Sequence, residues 1–158
     1  MSSAAAKQFI DHLRGVKKRS DARATPDPAA ARTEWLRELD ALFARIDGWL
    51  RDAEQESLVT VHRESTTVQH DGDLGSYDAP TRIVVMPGDV GVHIFPAGRR
   101  VLGHDGRVDA VAAGRSFRLL RATDGSWSLA TPTFSKSLWD LAPLDEAAFL
   151  QALRDLVG

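Results

Sequence analysis

Apolar positions change their spacing partway along this chain, and the change falls near Glu56. Before it, Trp35, Leu36, Leu39, Leu42, Phe43, Ile46, Trp49 and Leu50 recur every three or four residues. That spacing puts them on one stripe of an α-helix, while Arg37, Glu38, Arg45, Asp47 and Arg51 fall mostly off it. The predicted helix covers 27–54. Asp27 or Thr25 can cap its start, and Pro28 suits the first helical position. Gly48 lies inside it, at a cost of about 1 kcal/mol against alanine. Close approach of another backbone would explain it.

Upstream, Phe9, Ile10, Leu13 and Val16 have helical spacing and predict a short helix over 4–16. Two prolines, Pro26 and Pro28, separate it from the main helix. Residues 1–24 are therefore read as a basic arm or short helix, and 25–158 as one domain.

Downstream, short β-branched runs are cut by Gly, Pro and Asp-Gly pairs. Strands are expected over 58–69, 81–86, 90–95, 107–112, 116–121 and 126–131, with a brief one over 99–102. Asp105-Gly106 and Asp124-Gly125 are read as tight turns. Connections this short favour neighbouring antiparallel strands. The chain closes on a helix with Asp145 as its cap, Glu146 in its first turn and Leu144 stapled to Phe149. The expected fold class is α+β: an antiparallel meander of six to seven strands packed against a long N-terminal-half helix and a C-terminal helix.

Composition bounds the function more than it identifies it. The 158 residues are 43% hydrophobic and 27% charged, enough for a sizeable core. A net charge of −2 gives the whole chain no pull towards nucleic acid or an anionic membrane. The absence of cysteine excludes thiolate chemistry and disulfides. No apolar run approaches the ~20 residues of a membrane span. The first 18 residues carry charges where a secretory signal would be apolar. The expectation is a cytoplasmic protein, without a membrane partner. Arginine and alanine outnumber lysine and isoleucine, which is read as the codon bias of a GC-rich bacterial genome.

Candidate chemistry is sparse. Asp71, Asp73 and Gly75 resemble part of a calcium loop but lack its closing glutamate, and are read as a solvated turn. His62 and Glu64 share a strand face by period-two spacing. No phosphate loop, nucleophile elbow or helical zinc motif occurs, so no cofactor and no metal are expected. Residues 104–109 gather His104, Asp105, Arg107 and Asp109 around one turn, the densest polar cluster in the β half. Arginine and aromatic residues favour interface hot spots, which singles out Arg107 first and Tyr77 second, both expected in or near loops. Trp139 is read as the anchor of the loop before the last helix. The basic arm, with Lys7, Arg14, Lys17, Lys18, Arg19 and Arg23, offers at most weak contact to nucleic acid.

The reading that follows is a small non-enzymatic protein-binding module of the adaptor, chaperone-like or immunity kind. The partner-binding residues would be Arg107, Tyr77, His104, Asp105 and Asp109. The alternative is a hydrolase or nuclease-like enzyme, which needs His62, Glu64, His104 and Asp109 in one cleft.

Overall fold

A computed structural model describes residues 3–23, 27–99, 104–133 and 138–158, side chains of 19–23 excepted. The chain runs through α1 (Ala4–Arg23), α2 (Pro28–Gln55), β1 (Thr60–Val68), a 3-10 turn (Gly72–Leu74), β2 (Tyr77–Met86) and β3 (Val90–Gly98). It continues through β4 (Arg107–Ala112), β5 (Arg115–Arg121), β6 (Trp127–Pro132), β7 (Trp139–Pro143) and α3 (Glu146–Val157). The fold is α+β. Seven antiparallel strands lie in one sheet in chain order, each paired with the next.

Local chemistry accounts for the element ends. The Asp27 carboxylate accepts the Ala30 N–H at 3.1 Å, with Pro28 just behind it, so α2 opens as expected. Thr25, the other expected cap, lies outside the described residues. Asp145 caps α3 by accepting the Ala148 N–H at 2.7 Å. In the loop between β5 and β6, Asp124 accepts from the Ser126 hydroxyl and then its N–H, which hold its carboxyl below the usual carboxylate range. Asp124-Gly125 thus turns the chain as its sequence predicts.

Helices α2 and α3 pack on the same face of the sheet. Arg82, Ile94, Ala110 and Phe117 stand in one cross-strand row. Arg82 lies 5.0 Å over the Phe43 ring of α2, and Phe117 meets Phe149 of α3 edge-on at 5.9 Å. Trp35, Leu39, Leu42, Phe43, Ile46 and Leu50 of α2 are buried in this core, while Leu36 and Trp49 flank it. Ionic contacts tie the layers together. Asp47 on α2 takes two hydrogen bonds from Arg82, at 2.9 and 3.1 Å, and one from Arg63. Arg121 on β5 is buried between Glu34 and Glu38 of α2.

Several local expectations are corrected. Asp105-Gly106 is not a hairpin turn. The Asp105 N–H bonds the Arg121 carbonyl, and the Arg121 N–H bonds the Gly106 carbonyl, so both residues lie alongside β5. Glycine is needed at 106 because a Cβ there would sit 2.4 Å from the Trp35 ring. The tight turn is instead Ala113-Gly114 between β4 and β5, with φ of 49° and 78°. Gly48 has nothing within 4 Å of where its Cβ would be, so no backbone approaches it.

β2 begins at Tyr77, earlier than expected, and runs through Pro80. Pairing with β3 starts only at Arg82, so the missing Pro80 N–H interrupts no ladder on that side. Tyr77 is accordingly a buried strand residue and not a loop residue. β7 replaces the expected loop around Trp139. The brief strand over 99–102 lies almost wholly outside the described residues. Helix α1 reaches Arg23, well past the expected 16. Among the described residues no helix is long and apolar enough to cross a membrane.

Candidate functional site

Side chains alternate across a strand, so residues one step from the core row point to the face the helices leave bare. The row Phe95, Asp109, Arg118, Ala130 and Leu141 runs across that face, and Arg107 stands opposite Leu120 in the next. Arg107 and Asp109, two apart on β4, form a bidentate pair: Nε to Oδ1 at 2.8 Å and a terminal nitrogen to Oδ2 at 2.9 Å. Arg118 reaches the same carboxylate more loosely, at 3.9 Å. Its guanidinium lies 4.1 Å over the ring of Trp139 at the start of edge strand β7.

These groups frame a groove of about 350 Å³ lined by His104, Arg107, Arg118, Leu120, Ala130, Trp139 and Leu141. Leu120 and Ala130 are buried and form an apolar floor, whereas Leu141 is 61% exposed at the rim. Two arginines face one carboxylate, so the groove carries surplus positive charge. Asp109 is committed to Arg107. Among the described residues the N–H groups of Arg118 make no hydrogen bond, although stacking and the ion pair hold the side chain in place. The arrangement can receive a carboxylate or other anionic oxygen beside an apolar side chain.

A larger cavity of about 560 Å³ adjoins it between the Ala113-Gly114 turn and α3, lined by Phe117, Ala152 and Leu156 among others. Trp139 is the wall the two share. The larger space is a seam between helix and sheet. The concentration of arginine and tryptophan marks the smaller groove as the candidate site.

The structure brings together only part of the expected cluster. His104 and Arg107 line one groove and Arg107 pairs with Asp109, but on a strand face and its approach, with Arg107 and Asp109 inside β4. Asp105 is engaged through its backbone: its carbonyl accepts from Arg121 at 3.4 Å. Tyr77 belongs to a separate buried network. Its hydroxyl accepts the Trp35 indole N–H at 2.8 Å and donates to Asp71, which also accepts the Arg99 N–H at 2.8 Å. Burial first, and then the Asp71 carboxylate, push the Tyr77 phenol well above its ordinary value. Asp71 is therefore a buried anchor, not part of a solvated turn.

The four residues of the enzyme alternative do not converge. His62 and Glu64 lie on edge strand β1, three strand spacings (~14 Å) from Asp109 on β4. Glu64 lines a different, shallow cleft with Leu36 and Asp40 of α2. Among the described residues no three His, Cys, Asp or Glu side chains gather into a set able to hold a metal ion.

Sequence reasoning passed over Arg118 and Leu141 and read Trp139 only as a loop anchor. A signal for Arg118 existed: a two-residue turn at Ala113-Gly114 sets Asp109 opposite Arg118 by counting alone. Comparison of this chain with protein-family models, curated proteins and solved structures gives no match.

Proposed function

We propose that this chain is a non-enzymatic protein-binding module of the bacterial cytoplasm, acting as an adaptor, chaperone-like or immunity-type protein. It grips its partner on the helix-free face of the sheet. The observation that supports this reading is Arg118, stacked on Trp139 above an apolar floor with its N–H groups making no hydrogen bond among the described residues. Arginine and tryptophan over a desolvated pocket are the side chains on which interface energy concentrates. Arg107 holds Asp109, and Asp109 in turn draws Arg118 towards the groove. The partner segment would present a carboxylate to Arg118 and an apolar side chain to Leu120, Ala130 and Leu141.

A photocrosslinker at Leu141 tests this directly. In cell extract of the native organism it should capture one protein, which the same crosslinker at Asp52, on the exposed side of α2, does not. Arg118→Ala and Trp139→Ala should each weaken the purified complex by roughly 10-fold or more while leaving the melting temperature near that of the parent. Equal capture from both faces, or full affinity in both variants, would refute the groove as the site. Hydrolysis of an ester or phosphoester that is lost with Glu64→Gln or His104→Ala would replace the reading with the enzymatic one.

A further inference from the structure

The groove leaves α1 without a role. Phe9, Ile10, Leu13 and Val16 are all exposed, Phe9 at 62%. At 3.6 residues per turn they fall within one arc of about 120°. Lys7, Arg14 and Lys18 lie on the opposite side, and Lys17 stands at the edge of the stripe beside Ile10. Asp11 is the sole acid between Ala4 and Lys18, and it pairs with Arg14 at 3.7 Å. The helix is thus amphipathic and basic, with its apolar face in water.

We infer that α1 is a reversible docking element for an anionic lipid surface. The four apolar side chains enter the boundary between headgroups and acyl chains while the basic residues meet lipid phosphates, and the helix lies in the plane of the surface. Lys17 can lay its stem along the stripe and keep its ammonium at headgroup level. The expectation of no membrane partner rested on the net charge of the whole chain and on the lack of an apolar run long enough to span a bilayer. That average hides a segment whose sequence sets six basic residues, Lys7, Arg14, Lys17, Lys18, Arg19 and Arg23, against two acids, Asp11 and Asp21.

Other occupants satisfy only half of the helix. Nucleic acid would neutralise the basic face and leave Phe9 and Leu13 in water. A second copy of α1 would cover the apolar face and leave the basic face without a counter-charge. An anionic bilayer answers both faces at once. Four apolar side chains and a handful of cations make the contact weak and salt-sensitive, not a permanent anchor.

Vesicle co-sedimentation of the full chain decides it. Binding is expected to phosphatidylcholine vesicles containing phosphatidylglycerol, and not to phosphatidylcholine alone. The double change Lys17→Gln with Lys18→Gln should weaken it by roughly 10- to 30-fold. Leu13→Asp should abolish it while the melting temperature of the protein holds. Absence of binding to anionic vesicles, or equal binding to neutral ones, overturns the proposal. So does a solution dimer that Leu13→Asp dissociates, or duplex DNA binding that Leu13→Asp leaves intact. Because Arg118 and Trp139 take no part, Arg118→Ala should bind vesicles as the parent does.

Discussion

Gly48 is exposed inside α2, and nothing stands where a methyl group would go. Glycine there costs backbone entropy without a compensating contact. Gly48→Ala should stabilise the protein by about 1 kcal/mol and raise its melting temperature by a few degrees, as read by calorimetry. Tyr77 illustrates the opposite case, a side chain whose every polar group is used. Tyr77→Phe would leave the Trp35 N–H and the Asp71 carboxylate each one partner short, at a cost of about 1–3 kcal/mol. Its titration gives a sign as well as a size. The folded phenol is raised above the ordinary 10.0, so its contribution is complete below that pH and is lost as pH climbs beyond it. Tyr77 is also the sole tyrosine in the chain. Phenolate absorbance should therefore appear only together with alkaline unfolding, and not as a separate earlier step.

Helix α2 is the element on which the fold turns, and its stripe was readable because eight apolar residues kept the period over four turns. Leu39 is fully buried and Arg37 is exposed. Leu39→Asp should unfold the protein, and Arg37→Ala should shift the melting temperature hardly at all. Equal losses would mean the buried face is misassigned. Element α1 makes the contrary prediction. A chain shortened to begin at Thr25 keeps the Asp27 cap, and the large apolar side chains it loses, Phe9, Ile10, Leu13 and Val16, are exposed, so its melting temperature should stay within a few degrees of the parent. Among the strands, the sequence was informative wherever β-branched runs met a recognisable turn, as at Asp124-Gly125. It misled where one residue type serves two purposes. Gly106 reads as half of a turn, yet its small size makes room for Trp35. Pro80 reads as a break, yet it sits where β2 has no neighbour on one side. β7 was hidden because it is short and exposed, with no alternation to mark it.

At the scale of the whole molecule, one face of the sheet is committed to α2 and α3 while the other carries no helix among the described residues, and no window of sequence shows which. That division decides the site. His104, Arg107 and Asp109 were visible as a polar cluster, but their companions Arg118 and Trp139 arrive from β5 and β7, and only the register unites them. The same register separates His62 and Glu64 from Asp109 across three strands. Long-range pairing of this kind is invisible to local pattern, whereas helix caps and helix stripes are local and were read correctly.

The two faces also divide the tryptophans into independent optical reporters. Trp35 and Trp127 are stacked at 6.0 Å in the core, and the Trp35 indole is hydrogen-bonded to Tyr77, so their emission follows the integrity of the fold. Trp139 lies on the other face, in β7 under a guanidinium, where an occupant of the groove would change its polarity and its quenching. Partner binding should therefore alter fluorescence in the parent and not in Trp139→Phe, while the emission change on denaturation survives in both. A single cuvette could then distinguish loss of recognition from loss of structure in any variant, without a label.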